Sequence, residues 1–171
     1  MKELIATMAL LIIVPALALA QNTENQYRGQ GYFIFGMGTG LPSPYLHPFI
    51  VQEGGGGEGF LYKGLGIGAE AGRASWGRSC CSSAWIASGD LSYHFGRHAR
   101  PGRADPFVLI GPSFVGPTQV GRGSLAGNFG GGANFWLAKH AALRLEFRDI
   151  VAAQYWAYTH YLSFRVGVTF R

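Results

Sequence analysis

The last thirteen residues, Thr159 to Arg171, alternate in character with period two to the end of the chain. Leu162, Phe164, Val166, Val168 and Phe170 share one parity. Tyr161, Ser163, Arg165, Gly167, Thr169 and Arg171 share the other. Such alternation marks a strand with one apolar and one polar face. Termini fray unless they are tied down, so a strand that stays amphipathic to its last residue is expected to be paired along its length. A closed sheet whose last strand zips to its first supplies that pairing.

The rest of the chain repeats the pattern. Tyr32 to Gly38 reads as a first strand, apolar on both parities, and the Pro-rich Gly40 to Pro48 as a loop. Val51 to Tyr62 and Leu65 to Ser75 form a hairpin about Lys63-Gly64, followed by a loop from Trp76 to Ser83. Trp85 to Phe95 and Phe107 to Val115 form a second hairpin, joined by the polar and basic stretch Gly96 to Pro106; Gly116 to Gly123 is a loop. Leu125 to Leu137 turns at Ala138-Lys139-His140 into a strand carrying Leu143, Leu145 and Phe147, with a loop from Val151 to Tyr158 before the closing strand. The count is eight, short turns at one end and longer loops at the other. The expected fold is all-β: an eight-stranded antiparallel up-and-down transmembrane β-barrel, with loops near 39–50, 76–83, 116–123 and 151–158 on the outside. Gly54 to Glu70 also matches Gly130 to Glu146 at a constant offset of 146 − 70 = 76 residues. Duplication of a hairpin and convergence on one pattern both account for that match.

Composition narrows the class. Only 13% of the 171 residues are charged, against about 25% in ordinary soluble domains, and 27 are Gly. The 14% aromatic content argues against a disordered chain. The net charge of +5 is spread singly apart from Arg97, His98, Arg100 and Arg103, so nucleic acid is not an expected partner. Residues 1–20 read as a secretory signal peptide: an apolar core after Lys2, then a small-x-small site, Ala18-Leu19-Ala20. A retained anchor is the alternative, but the core is short and contains Pro15. Residues 21–171 are then the barrel domain.

The two faces assign inside and outside. One face is aliphatic and aromatic on strand after strand. The other holds Glu58, Glu70, Asp90, Arg144, Glu146, Arg148 and Arg165 among Gly, Ser and Asn. An Arg on the lipid face would cost about 2–4 kcal/mol at the midplane, whereas an eight-stranded interior is just wide enough for side chains to fill. The charges are therefore expected as a paired network plugging the lumen, with Gly56, Gly66, Gly68, Gly130 and Gly132 making room for long side chains. Trp85, Tyr93, Phe95, Phe107, Phe135 and Phe170, near strand ends, are expected in aromatic girdles.

These stretches resemble the small outer-membrane β-barrel family, OmpA-like in plan: Gly130 to Arg148, Leu91 to Gly96 before a basic turn, and the Gly-Val-Thr-Phe ending. Arg165-x-Gly167-x-x-Phe170 resembles the terminal signal read by the barrel assembly machinery, although this chain ends on Arg171 rather than an aromatic. The resemblance implies a bacterial outer-membrane location, with lipid and the assembly machinery as partners, and little about activity. The lumen charges predict a plugged interior, and the expected role is that of a non-enzymatic monomer, structural or narrow and porin-like. An adhesin or binding protein acting through the external loops is the alternative. A lipid-modifying hydrolase built on His160, Ser163 and Glu146 is a weaker one, since His160 and Ser163 differ in parity. His94 shares a face with Asp90 and is a candidate lumen hydrogen bond. Neither a metal nor a cofactor is expected: His94 and Asp90 lack further ligands, and Gly54 to Gly57 lacks the Gly-Lys-Ser/Thr ending of a phosphate loop. Cys80-Cys81 reads as a vicinal disulfide, a free thiol pair, half of an intermolecular bond, or simply small loop residues.

Overall fold

The computed structural model describes residues 29–41, 49–62, 64–76, 82–95, 101–117, 123–154 and 157–171. The expected signal peptide with Ala18 and Ala20, the Cys80-Cys81 pair, Lys63 and Arg97, His98 and Arg100 of the basic cluster lie outside them. Eight strands follow in order: β1 (Gly29–Leu41), β2 (Phe49–Tyr62), β3 (Leu65–Trp76), β4 (Ser82–His94), β5 (Ala104–Val115), β6 (Ser124–Trp136), β7 (Ala141–Gln154) and β8 (Ala157–Phe170). Each pairs antiparallel with its neighbour, and β8 closes onto β1 from Gly31↔Phe170 to Leu41↔His160. The closing strand is thus paired on both sides, to β1 and to β7. No edge is left unpaired, which is what a sheet in lipid requires.

Period two sets the faces. Phe33, Phe35 and Met37 point out while Gln30, Tyr32 and Ile34 are buried inside, so the first strand, apolar on both parities, is resolved by its partners. Phe147 on β7 and Phe164, Val166 and Val168 on β8 are exposed, while Arg144, Glu146, Arg148, Arg165 and Thr169 are buried. The seam between β8 and β1 is close. A Cβ at Gly36 would fall 2.8 Å from Arg165 Cγ, so the glycine is what lets that side chain cross the lumen.

Beyond shifts of a few residues at the ends of β1, β2 and β4, the following features differ from the sequence reading. The segment Val151 to Tyr158, expected as a loop, is mostly strand: Val151↔His160, Ala152↔Thr159, Ala153↔Tyr158 and Gln154↔Ala157 extend the β7–β8 ladder. It carries no Pro or Gly to interrupt pairing. Strand β5 begins at Ala104 rather than Phe107 and includes Pro106 near its start, where a missing N–H is tolerated. Phe107, expected in a girdle, is 2% exposed and faces the lumen. Gly130 and Gly132 accommodate the β7 backbone rather than long side chains, since a Cβ at Gly130 would lie 3.2 Å from Arg148 Cα. The other expected girdle residues, Trp85, Tyr93, Phe95, Phe135 and Phe170, are exposed on the outer surface.

Candidate functional site

The lumen is the site that the fold builds. Its centre is Glu146 on β7, whose two oxygens serve three guanidiniums: Arg144 Nε and Nη2 at 2.9 and 2.8 Å on one oxygen, Arg148 Nε at 2.7 Å and Arg165 Nη1 at 3.1 Å on the other. Arg144, Glu146 and Arg148 reach inward together because they are spaced by two on one strand. Glu70 on β3 bonds Arg165 Nη2 from the facing wall, lies 3.5 Å from Arg148 Nη2, and accepts from the Tyr32 hydroxyl at 3.1 Å. Asp90 on β4 accepts from Arg148 Nη1 at 3.2 Å. Glu70 and Glu146 occupy matching places in the internal repeat and meet on the same arginine, Arg165.

Toward the turn end a second cluster forms around Glu58. It accepts from Gln30 and from Ser92 at 2.6 Å, lies 3.2 Å from His94 Nε2, and is 3.7 Å from Arg144 Nη1. His94 Nδ1 is 2.7 Å from Asp105, so His94 bridges two carboxylates on β2 and β5 and does not bond Asp90. Spacing on one strand had suggested Asp90, but cross-strand neighbours in a barrel are closer than residues four apart. Phe107 stacks on His94 and lies 4.1 Å from the Arg144 guanidinium, which also covers Tyr32 at 4.3 Å. Every charged residue expected in the lumen is there: Glu58, Glu70, Asp90, Arg144, Glu146, Arg148 and Arg165. Gln30, Tyr32, Ser92, His94, Asp105 and Phe107 complete the network; Ser92, His94 and Phe107 lie on strands legible in the sequence, whereas Gln30 and Asp105 fall outside the expected strand bounds and the first strand, with Tyr32, is apolar on both parities.

Among the described residues, buried side chains pack toward both ends. On the loop side, Ala84, Val115 and Ile150 form a buried apolar layer with Ile86, Ala126 and Tyr161 packed against it. On the turn side, Trp136 packs on Ala142, and the Arg171 guanidinium lies 4.0 Å over the Trp136 ring. Arg171 Nε donates to the Lys139 carbonyl at 2.5 Å, and its backbone N–H to the His140 carbonyl at 3.3 Å. The last residue is therefore a lid on the lumen tied to the β6–β7 turn.

The alternative hydrolase constellation of His160, Ser163 and Glu146 is not assembled, as the opposite parity of His160 and Ser163 indicates. Ser163 and Glu146 are buried in the lumen, whereas His160 is on the outer wall, bonded through Nδ1 to Asp149 at 2.7 Å. Among the described residues no group of three or more His, Cys, Asp and Glu is placed to hold a metal ion.

Neither a protein-family model nor a curated protein sequence matches this chain. Solved structures do. The N-terminal β-barrel domain of Pseudomonas aeruginosa OprF superposes with a TM-score of 0.60 at 15% identity, over 86% of this chain and 100% of that one. Neisserial surface protein A gives 0.68 at 9% identity over 86% and 99%, and Ail, the attachment invasion locus protein of Yersinia pestis, gives 0.53 at 9% over 83% and 97%. With so little identity the likeness is one of fold, and the chain is a closed eight-stranded barrel of the kind found in outer-membrane proteins.

Proposed function

We propose that this chain is an integral bacterial outer-membrane protein with a structural, non-enzymatic role and a plugged lumen. One observation carries the reading: the polarity is inside out. Phe33, Phe35, Ile67, Trp85, Ile110, Leu125, Phe147 and Phe164 are exposed on the outer wall, while Arg144, Arg148 and Arg165 are at most 2% exposed inside. In water such an outside would be an aggregation surface. In a bilayer it is the lipid face, and the buried charges are the filled interior of a narrow barrel. The ion-paired layer, capped on both sides, supports a plug rather than an open pore. A signal peptide at 1–20 is the export route of this reading, and Arg165, Gly167 and Phe170 are the positions the assembly machinery would read. Gly167 also serves the closing seam itself, since a Cβ there would lie 2.9 Å from Ile34 Cγ2.

Fractionation tests the location. The protein should sediment with outer membranes, resist extraction without detergent and run faster on gels unheated than boiled. Release into the periplasm in soluble form would overturn it. A loop-mediated binding role is the second reading, and the barrel likeness to the attachment invasion locus protein is what favours it.

A further inference from the structure

The outer wall holds a polar cluster that the plug does not use. Asp149 has outward parity on β7, between inward Arg148 and Ile150, yet is only 3% exposed. It sits in a row across four strands, Phe129 on β6, Asp149, Leu162 on β8 and Thr39 on β1. One carboxylate oxygen takes His160 Nδ1 at 2.7 Å; the His160 side chain is 44% exposed on the same face. The other, Oδ1, is buried without a hydrogen-bond partner among the described residues, and so is Thr39 Oγ1. Ionisable groups on a lipid-facing wall are rare and mark functional positions, and buried acceptors are normally satisfied. Two such atoms lie in one row, on β7 and β1 with Leu162 of β8 between them, and leave a place that a ligand spanning β8 completes.

We propose that Asp149, Thr39 and His160 bind the saccharide headgroup of an outer-leaflet glycolipid. The proposal rests on the outer-membrane reading above. The chemistry selects the ligand. Asp149 Oδ1 only accepts, Thr39 Oγ1 donates and accepts, and bonding at Nδ1 leaves His160 Nε2 for the ligand. Hydroxyl and amide N–H groups match that set, whereas a phosphate would meet a carboxylate. The cluster lies near the loop ends of β7, β8 and β1, where headgroups would be. Tyr158, exposed on the same wall, supplies an amphipathic ring at that level. Toward the turn end, Phe147, Phe164 and Val166 continue the face as an apolar track for an acyl chain.

The test uses the full chain in phosphatidylcholine nanodiscs, titrated with fluorescent lipopolysaccharide. Asp149→Leu should weaken binding about tenfold and Thr39→Val several-fold, in line with loss of hydrogen bonds to a buried acceptor. Arg73→Gln, an exposed cation on β3 bonded to Ser83, should leave binding unchanged. Equal affinity of Asp149→Leu, Thr39→Val and the parent would overturn the proposal. So would loss on Arg73→Gln alone, which would mean attraction to phosphate. Failure of the chain to insert into nanodiscs would sink the membrane reading itself, whereas insertion with unaltered binding sinks only the glycolipid site.

Discussion

At the residue scale, Glu146 is the pivot of the interior. Three guanidiniums share its two oxygens, and all four side chains are essentially inaccessible. Removing one partner of a buried pair leaves uncompensated charge and typically costs about 3–5 kcal/mol. Glu146→Gln is therefore expected to lower the unfolding free energy by that order, read as a lower urea midpoint of the barrel refolded in detergent. An unchanged midpoint would mean that Glu70 and Asp90 balance the three arginines without it. The identity of these charges was legible in the sequence because period two sorts every residue to one of two faces, and one face could not be in lipid. Phe107 was not, because an aromatic near a strand end suits a girdle and a lumen equally. Its partners, His94 and Arg144, come from β4 and β7, and only closure brings them together.

At the element scale, the closing strand is held at both its ends. Its loop end continues the β7 ladder to Gln154↔Ala157, longer than its alternation alone indicated. The Val151-to-Tyr158 stretch lacks a strong apolar alternation, and strand there follows from a paired neighbour rather than from local propensity. Hydrogen exchange checks this: the amides of Ala152 and Thr159 should be protected like those of Leu145 and Val166, and exchange at loop rates would refute the extension. At the other end, Arg171 is fixed on Trp136 and on the β6–β7 turn. A partly exposed cation–π contact is worth about 0.5–1 kcal/mol. Arg171→Ala should therefore lower stability by about 1 kcal/mol, seen as a small drop in the temperature at which the folded gel band disappears. No shift would mean that the lid contributes nothing beyond covering the ring. A terminal basic residue in place of the usual aromatic reads from sequence as a departure; its purpose depends on a tryptophan brought beside it by the fold.

At the scale of the whole molecule, buried side chains stack in three layers along the lumen. The apolar layer of Ala84, Val115 and Ile150 lies toward the loops, the Arg–Glu layer across the middle, and Trp136 under Arg171 at the turns. The sequence carries the middle layer openly as charges of one parity. It hides the apolar one, because small and aliphatic residues on an inward parity look the same as strand filler until the register stacks them at one height. Layers in series make a specific claim about conductance. The parent protein should show no open steps in planar bilayers, and Ile150→Gly alone should show none, because the charged layer still blocks the path. Arg148→Gly alone should likewise stay closed, since Arg165 still crosses the lumen to Glu70 and Arg144 still reaches Glu58 on β2. Only a variant that combines Ile150→Gly with Arg148→Gly, Arg165→Gly and Trp136→Gly removes side chains from all three layers. Such a variant leaves Glu58, Glu70, Asp90 and Glu146 facing the opened path with fewer cations against them, so its small conductance should favour cations over anions. Large steps from the parent would refute the plug. Steps from either single variant would show that one layer, not a stack, holds the lumen shut.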